Sequence, residues 1–207
     1  MTGTIALQPA DSVEIRTMMD NASDLLLRGD ERVKRPSFTA GVPIEAPFTL
    51  DATLPSMLIA EHGFSALVTI TREGREHRLL FDAGLSTSGL AHNFDALQLQ
   101  LADVEAIVMS HGHFDHVGGL HGLAKRWGAR AMPMLVHPDF WLRRRIVIPG
   151  QDPFDMPTAS RAALQGAGFE IVEDAAPSLV LDGCALITGE VARTNEFETG
   201  CPIHQAQ

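Results

Sequence analysis

"SHGHFDHVGGLH" (110–121) gathers four of the chain's nine histidines, an aspartate and three glycines directly behind the apolar run "AIVM" (106–109). Its inner pattern is His111-x-His113-x-Asp115-His116. Neutral imidazole is the commonest metal ligand, and a carboxylate adds a hard oxygen and negative charge. Alternate side chains of an extended segment point the same way, so His111 and His113 can converge on one ion. Asp115 and His116, where strand turns into helix, can face a neighbouring ion about 3.5–4 Å away. Gly112, Gly118 and Gly119 allow tight turns and close backbone approach. A surface loop of solvated histidines is the competing reading, which accounts for one histidine better than for four donors in such short range. His121 lies outside the spacing and reads as a helix-surface residue or a support behind the ligands.

Working outward, "AIVMS" (106–110) has the length and composition of a buried strand, and "GGLHGLAKRWG" (118–128) reads as the helix that follows the cluster. Upstream, "SMLIAEHG" (56–63) and "FSALVTITREGREHRLLFDAG" (64–84) form the clearest β region, with "REGRE" (72–76) as a hairpin turn. Residues 86–98 favour a helix, because Leu90, Phe94 and Leu97 fall at i, i+4 and i+7 and serines precede them as caps. "VEIRTMMD" (13–20) predicts a first strand and "NASDLLLRGD" (21–30) a short helix or turn. "KRPSFTAGVPIEAPF" (34–48) reads as a Pro/Gly-punctuated loop. Downstream, "AMPMLVH" (131–137) predicts a strand and "TASRAALQGAG" (158–168) a helix closed by glycine. "EIVE" (170–173), "SLVLDG" (178–183) and "ALITGEV" (185–191) predict three more strands. Strands with interspersed helices indicate an α/β or α+β layered fold.

Bulk composition narrows the function. A length of 207 residues suits a single domain with a two-layer core. The formal charge of -10 argues against a nucleic-acid or anionic-membrane partner, since either needs a basic face. "MTGTIALQPADSVEIR" (1–16) has no basic and apolar signal pattern, and no run approaches the roughly 18 apolar residues of a membrane helix. The expected compartment is the cytoplasm, where Cys184 and Cys201 remain reduced thiols rather than pairing.

The cluster resembles the HxHxDH signature of the metallo-β-lactamase superfamily. That resemblance implies an αββα sandwich with one or two metal ions at His111, His113, Asp115 and His116. Zinc is the expected ion, with iron or manganese as alternatives. "LLFDAG" (79–84) resembles the family's strand end, which implies that Asp82 orients the metal loop; a plain turn cap is the other reading. "AEHGFSALV" (60–68), "FDAGLS" (81–86) and "ITGEVARTNEFETG" (187–200) are similar to a subgroup described as dihydropteroate-synthase-related metal-dependent hydrolases. That subgroup includes a ribofuranosylaminobenzene phosphate synthase. Glu61 and His62 then border a substrate pocket or form a polar strand terminus. Arg193 anchors an anionic substrate or pairs with Glu190.

The same resemblance implies ligands that are not found after His116. Only His121, His137 and His204 follow. His137 is expected to be a non-ligand, and "GCPIH" (200–204) is read as a decoy of the family's Gly-Cys-x-His signal. The chain is therefore expected to be one domain over 1–207 lacking its C-terminal part, with the second half of the sandwich incomplete and apolar surface that favours self-association. The leading functional expectation is a metal-dependent hydrolase that activates water on an ester, amide or phosphoester-type small molecule of pterin-related kind. Asp115 would orient the nucleophile and accept its proton. The alternative is a non-catalytic metal-binding or interaction protein with an incomplete site. Oxygen or synthase chemistry on the same fold stays open, because fold and metal motif do not determine the reaction.

Overall fold

Alternating β-branched and apolar residues build the first half of the main sheet. In a computed structural model describing residues 5–37, 41–127, 131–198 and 200–207, β1 (Ser12–Met19) is followed by a small antiparallel pair, β2 (Pro43–Glu45) and β3 (Thr53–Pro55). Strands β4 (Ser65–Arg72) and β5 (Arg75–Phe81) form a hairpin. Its two turn residues, Glu73 and Gly74, take φ of 51° and 77°, the left-handed geometry that matches strand twist. Then come α1 (Gly89–Ala96), β6 (Ala106–Val108), α2 (Phe114–Val117), α3 (Leu120–Trp127) and β7 (Met132–Val136). The chain continues through β8 (Arg144–Ile146), β9 (Phe154–Asp155), α4 (Arg161–Gly166) and β10 (Phe169–Glu173). It closes with β11 (Ser178–Val180), β12 (Ala185–Ile187) and β13 (His204–Ala206).

The main sheet has six strands in the order β1-β4-β5-β6-β7-β10. Its first three strands are antiparallel neighbours, and β5, β6, β7 and β10 run parallel. Met18, Leu67, Leu80, Ile107 and Met134 face one side and pack on Leu90 and Phe94 of α1 and Leu120 and Leu123 of α3. Burying each such side chain stabilises the fold by about 1.5–3 kcal/mol. On the opposite side Leu79, Ala106, Val108 and Leu135 meet Val180, Ala185 and Ile187. Helices thus cover one face and the β11–β12 pair covers the other, an α/β layering with sheet packed on sheet. A further three-stranded sheet, β13-β8-β9, stands beside them. Among the described residues, no helix is long and apolar enough to cross a membrane.

Several expectations are corrected. Residues 56–63 form no strand. Their backbone is held by the side chain of Asn93, 1% exposed, which donates to the carbonyls of Ile59 and Met18 and accepts from the Ile59 amide. β1, not this segment, occupies the sheet position beside β4. The helix expected over 86–98 is shorter, and Gln98 just beyond it takes φ of 55°. Within the expected loop 34–48, β2 forms; β8, β9 and β13 are also additional, being too short to carry a period. Segment 21–30 makes a turn. Residues 38–40 of the expected loop, Gly128 of the expected helix, residues 1–4 and residue 199 lie outside the described residues.

Candidate metal centre

β5, β6 and β7 are parallel, so the segments leaving their carboxyl ends gather at one edge, where open α/β sheets form their crevices. Asp82 follows β5 and is 1% exposed, with φ of 54°. Its Oδ1 accepts from the Ser110 amide at 2.7 Å, and its Oδ2 accepts from Ser110 Oγ at 2.6 Å. His116 Nδ1 reaches the same Oδ2 at 2.7 Å. The only hydroxyl proton of Ser110 is spent on Asp82, so Ser110 Oγ accepts from His111 Nδ1, 2.8 Å away. One buried carboxylate thereby orients two histidines through their Nδ1 atoms, leaving Nε2 of neutral His111 as a lone-pair donor and Nε2 of His116 as one once that ring gives up its second proton.

The ring centroids of His111 lie 4.5 Å from His113 and 4.3 Å from His116. Asp115 Oδ2 is 3.4 Å from His116 Nε2 and 3.5 Å from His62 Nε2. Short α2 is seated on the loop after β5 by the bond from the Ala83 amide to the His116 carbonyl, 2.8 Å. A Cβ on Gly118 would stand 1.7 Å from the Leu85 carbonyl oxygen, and one on Gly119 1.9 Å from that of Ala83. Both are therefore close-approach positions.

Burial lowers the His111 pKa to about 4, helped by the neighbouring His116 and His113. His113 is lowered by burial first, then by Arg144 and His204. For His116, burial pulls downward, but the hydrogen bond and charge of Asp82, with Asp115, outweigh it and raise the pKa. Two imidazoles are thus neutral at neutral pH, as metal ligands must be.

Does this donor set fit an ion? His111 Nε2 and His113 Nδ1 are 2.7 Å apart, in hydrogen-bond contact. Two nitrogens on one tetrahedral zinc at about 2.0–2.1 Å stand roughly 3.3–3.4 Å apart. Among the described residues, no three His, Cys, Asp or Glu side chains already surround a common point. With its own proton on Nδ1, His111 accepts this bond from His113 Nδ1, so the pair would take one ion only once the contact opens, whereas the Asp115–His116 spacing already matches two ligands of one ion. The residues fit a zinc-like group in chemistry, and the Asp115–His116 pair fits it in spacing as well.

The remaining expected residues are placed differently. Glu61 Oε1 accepts from the amides of Leu85 and Ser86, both at 2.9 Å, so this carboxylate braces the loop after β5. His62 stands at Asp115. Arg193 is exposed in the irregular segment after β12, against Gly200. His204, set aside as a decoy, sits on β13 with its ring 5.0 Å from His113. His137 Nδ1 accepts from the Asp139 amide at 3.1 Å, while its buried Nε2 has no hydrogen-bond partner among the described residues. Arg144 escaped the sequence reading. It donates to the carbonyls of Phe140, Leu142 and Asp139 and packs against Gly112. An arginine inside "RRR" carries no local signal of such a role. Ser110 lay in the motif itself, and its place before His111 was the available clue.

The sequence pattern of the metallo-beta-lactamase superfamily matches residues 60–174, more than half of the chain. The chain belongs to that superfamily. Over 154 residues it is 39% identical to the uncharacterized protein MJ0448 of Methanocaldococcus jannaschii, covering 72% of this chain and 54% of that protein. Over 82 residues it is 32% identical to the 7,8-dihydropterin-6-methyl-4-(beta-D-ribofuranosyl)-aminobenzene-5'-phosphate synthase of the same archaeon, covering 40% of this chain and 28% of the synthase. A UPF0173 metal-dependent hydrolase of Staphylococcus aureus is 36% identical over 73 residues, 35% of this chain and 29% of that one. The chain spans about half or less of the length of these curated relatives.

Proposed function

We propose that this chain carries the metal centre of a hydrolase acting on an ester, amide or phosphoester-type bond of a small molecule. The supporting observation is the Asp82 hub, a buried carboxylate that orients His116 directly and His111 through Ser110. His111 and His113 would hold one ion, and Asp115 and His116 a second. When bound, a divalent ion, zinc by this imidazole-rich donor set, with iron or manganese as alternatives, supplies a Lewis acid that activates water and polarises the scissile group. The Asp115 carboxylate, between His116 and His62, would orient the water and accept its proton.

A cavity of about 340 Å³ beside β8 is lined by Arg143, Arg144 and Arg145 with Asp155 and Thr158. Arg145 is paired there with Asp155 and Arg144 with backbone carbonyls, so the cavity does not by itself select a substrate charge; the likeness to the dihydropterin-linked ribofuranosyl phosphate synthase favours a pterin-related substrate. A second reading, metal binding without turnover, draws on the absence of three converged donors among the described residues. The test is metal content with hydrolysis of bis-p-nitrophenyl phosphate and p-nitrophenyl acetate. His111→Ala, His113→Ala together should remove metal and turnover; retention of both would overturn the proposal. Wild-type metal binding with no turnover on either ester or a pterin phosphate would favour the second reading.

A further inference from the structure

His62 belongs to no part of the His111–His116 motif, yet the fold delivers it there. Its Nε2 lies 3.5 Å from Asp115 Oδ2, the oxygen that also stands 3.4 Å from His116 Nε2. Each separation is near the roughly 3.3–3.4 Å between two ligand atoms on one tetrahedral zinc, although among the described residues the three side chains do not yet surround a common point. The turn that carries His62 is pinned on both flanks. Glu61 on one side has its carboxylate on the Leu85 and Ser86 amides, and its own amide donates to the Asp20 carbonyl at 3.1 Å. Gly63 on the other has φ of 119° and lies so close to Asp115 that a Cβ there would stand 2.1 Å from the Asp115 carbonyl oxygen. Backbone packing therefore holds residue 62 over Asp115 independently of any contact made by its side chain. The ring itself is 74% exposed and free to turn about its own torsions.

We propose that His62 is a protein ligand of the ion held by Asp115 and His116, bringing that site to the three protein ligands usual for catalytic zinc. The inference rests on the metal-centre reading above. A simple ion pair between His62 and Asp115 is the competing account. At such exposure it would contribute at most about 1 kcal/mol of stability, and its loss would leave the ligand-field spectrum of the bound ion unchanged.

The experiment is a cobalt(II) titration of the chain, followed by visible absorption and calorimetry, comparing wild type with His62→Ala, His62→Gln and His121→Ala. His121 is an equally solvent-facing histidine on α3 and controls for loss of an imidazole. Both His62 variants should bind cobalt at least about 10-fold more weakly, the lower end of what even indirect partners of metal ligands cost. Their ligand-field absorption should also weaken, while His121→Ala matches wild type. Circular dichroism should be the same for all four, since neither ring is in the core. Wild-type affinity and spectrum in both His62 variants would overturn the inference and leave the metal-centre reading standing. Failure of the wild-type chain itself to bind cobalt would overturn both.

Discussion

Asp82 gathers three donors on one carboxylate while its backbone sits at φ of 54°, a conformation that asparagine and aspartate tolerate better than most residues. A turn cap needs only the Ser110 amide; the bonds to Ser110 Oγ and His116 Nδ1 go beyond that. Asp82→Asn keeps the size and the backbone preference but removes the charge and one acceptor. Zinc affinity should fall about 10–100-fold in this variant with the fold retained, measured by competition with a chelating dye. Asp82→Ala should lose affinity and stability together, because alanine is strained at positive φ. A variant that melts early yet binds zinc normally would return Asp82 to the role of a turn cap.

Helices α2 and α3 are placed by contact, and the contact is backbone on backbone. Gly118 and Gly119 lie against the Leu85 and Ala83 carbonyls, closer than any side chain permits. Gly118→Val and Gly119→Val should each displace α2, which carries Asp115 and His116. The expected cost is about 1–3 kcal/mol of overpacking, read as a lower urea midpoint, with zinc binding weakened in parallel. Lys125→Val, on the exposed side of α3, should change neither quantity appreciably. Equal, small effects at all three positions would count against this account. The strand expected over 56–63 failed at the same scale. Its apolar run looked like sheet, but the Asn93 side chain from α1 satisfies that backbone, and no spacing in the sequence announces a long-range partner.

For the molecule as a whole, metal, protons and stability are linked. In the unfolded chain His111 titrates near its ordinary 6.5, and in the fold near about 4. Acidification through that interval protonates the unfolded chain first, so the metal-free fold loses this contribution as pH drops below about 6.5. His116 works in the opposite sense: its raised folded pKa contributes stability below the unfolded value, which is lost as pH rises through the raised one. Zinc needs His116 without its proton, so zinc stabilisation should grow as pH climbs through that raised value and fade on acidification. At a free zinc concentration about 100-fold above Kd, binding stabilises the fold by about 2.7 kcal/mol. In a protein of this size that is a rise in Tm of roughly 5–10 °C. Thermal melts with zinc and with a chelator, between about pH 5 and pH 8, would show it. A zinc effect independent of pH would contradict the assignment of His116.

The motif of 110–121, the hairpin of 64–84 and the strands around β6 were legible in the sequence, because period, turn chemistry and ligand spacing are local properties. Proximity of His111, His113, Asp115 and His116 follows from chain continuity alone. The pairing of Asp82 with Ser110 and His116, the seating of Glu61 on the loop after β5, and the arrival of His62 at Asp115 and of His204 at His113 do not. Those contacts depend on β5 lying parallel to β6, on an approach of Gly63 to the Asp115 carbonyl that leaves no room for a Cβ, and on β13 pairing with β8. Sheet order and backbone packing choose such neighbours through the burial of distant apolar faces, which no local window of sequence contains. The sequence by itself determined which metal-ligand residue types stand at close spacing; the tertiary structure decided which distant side chains are brought to them.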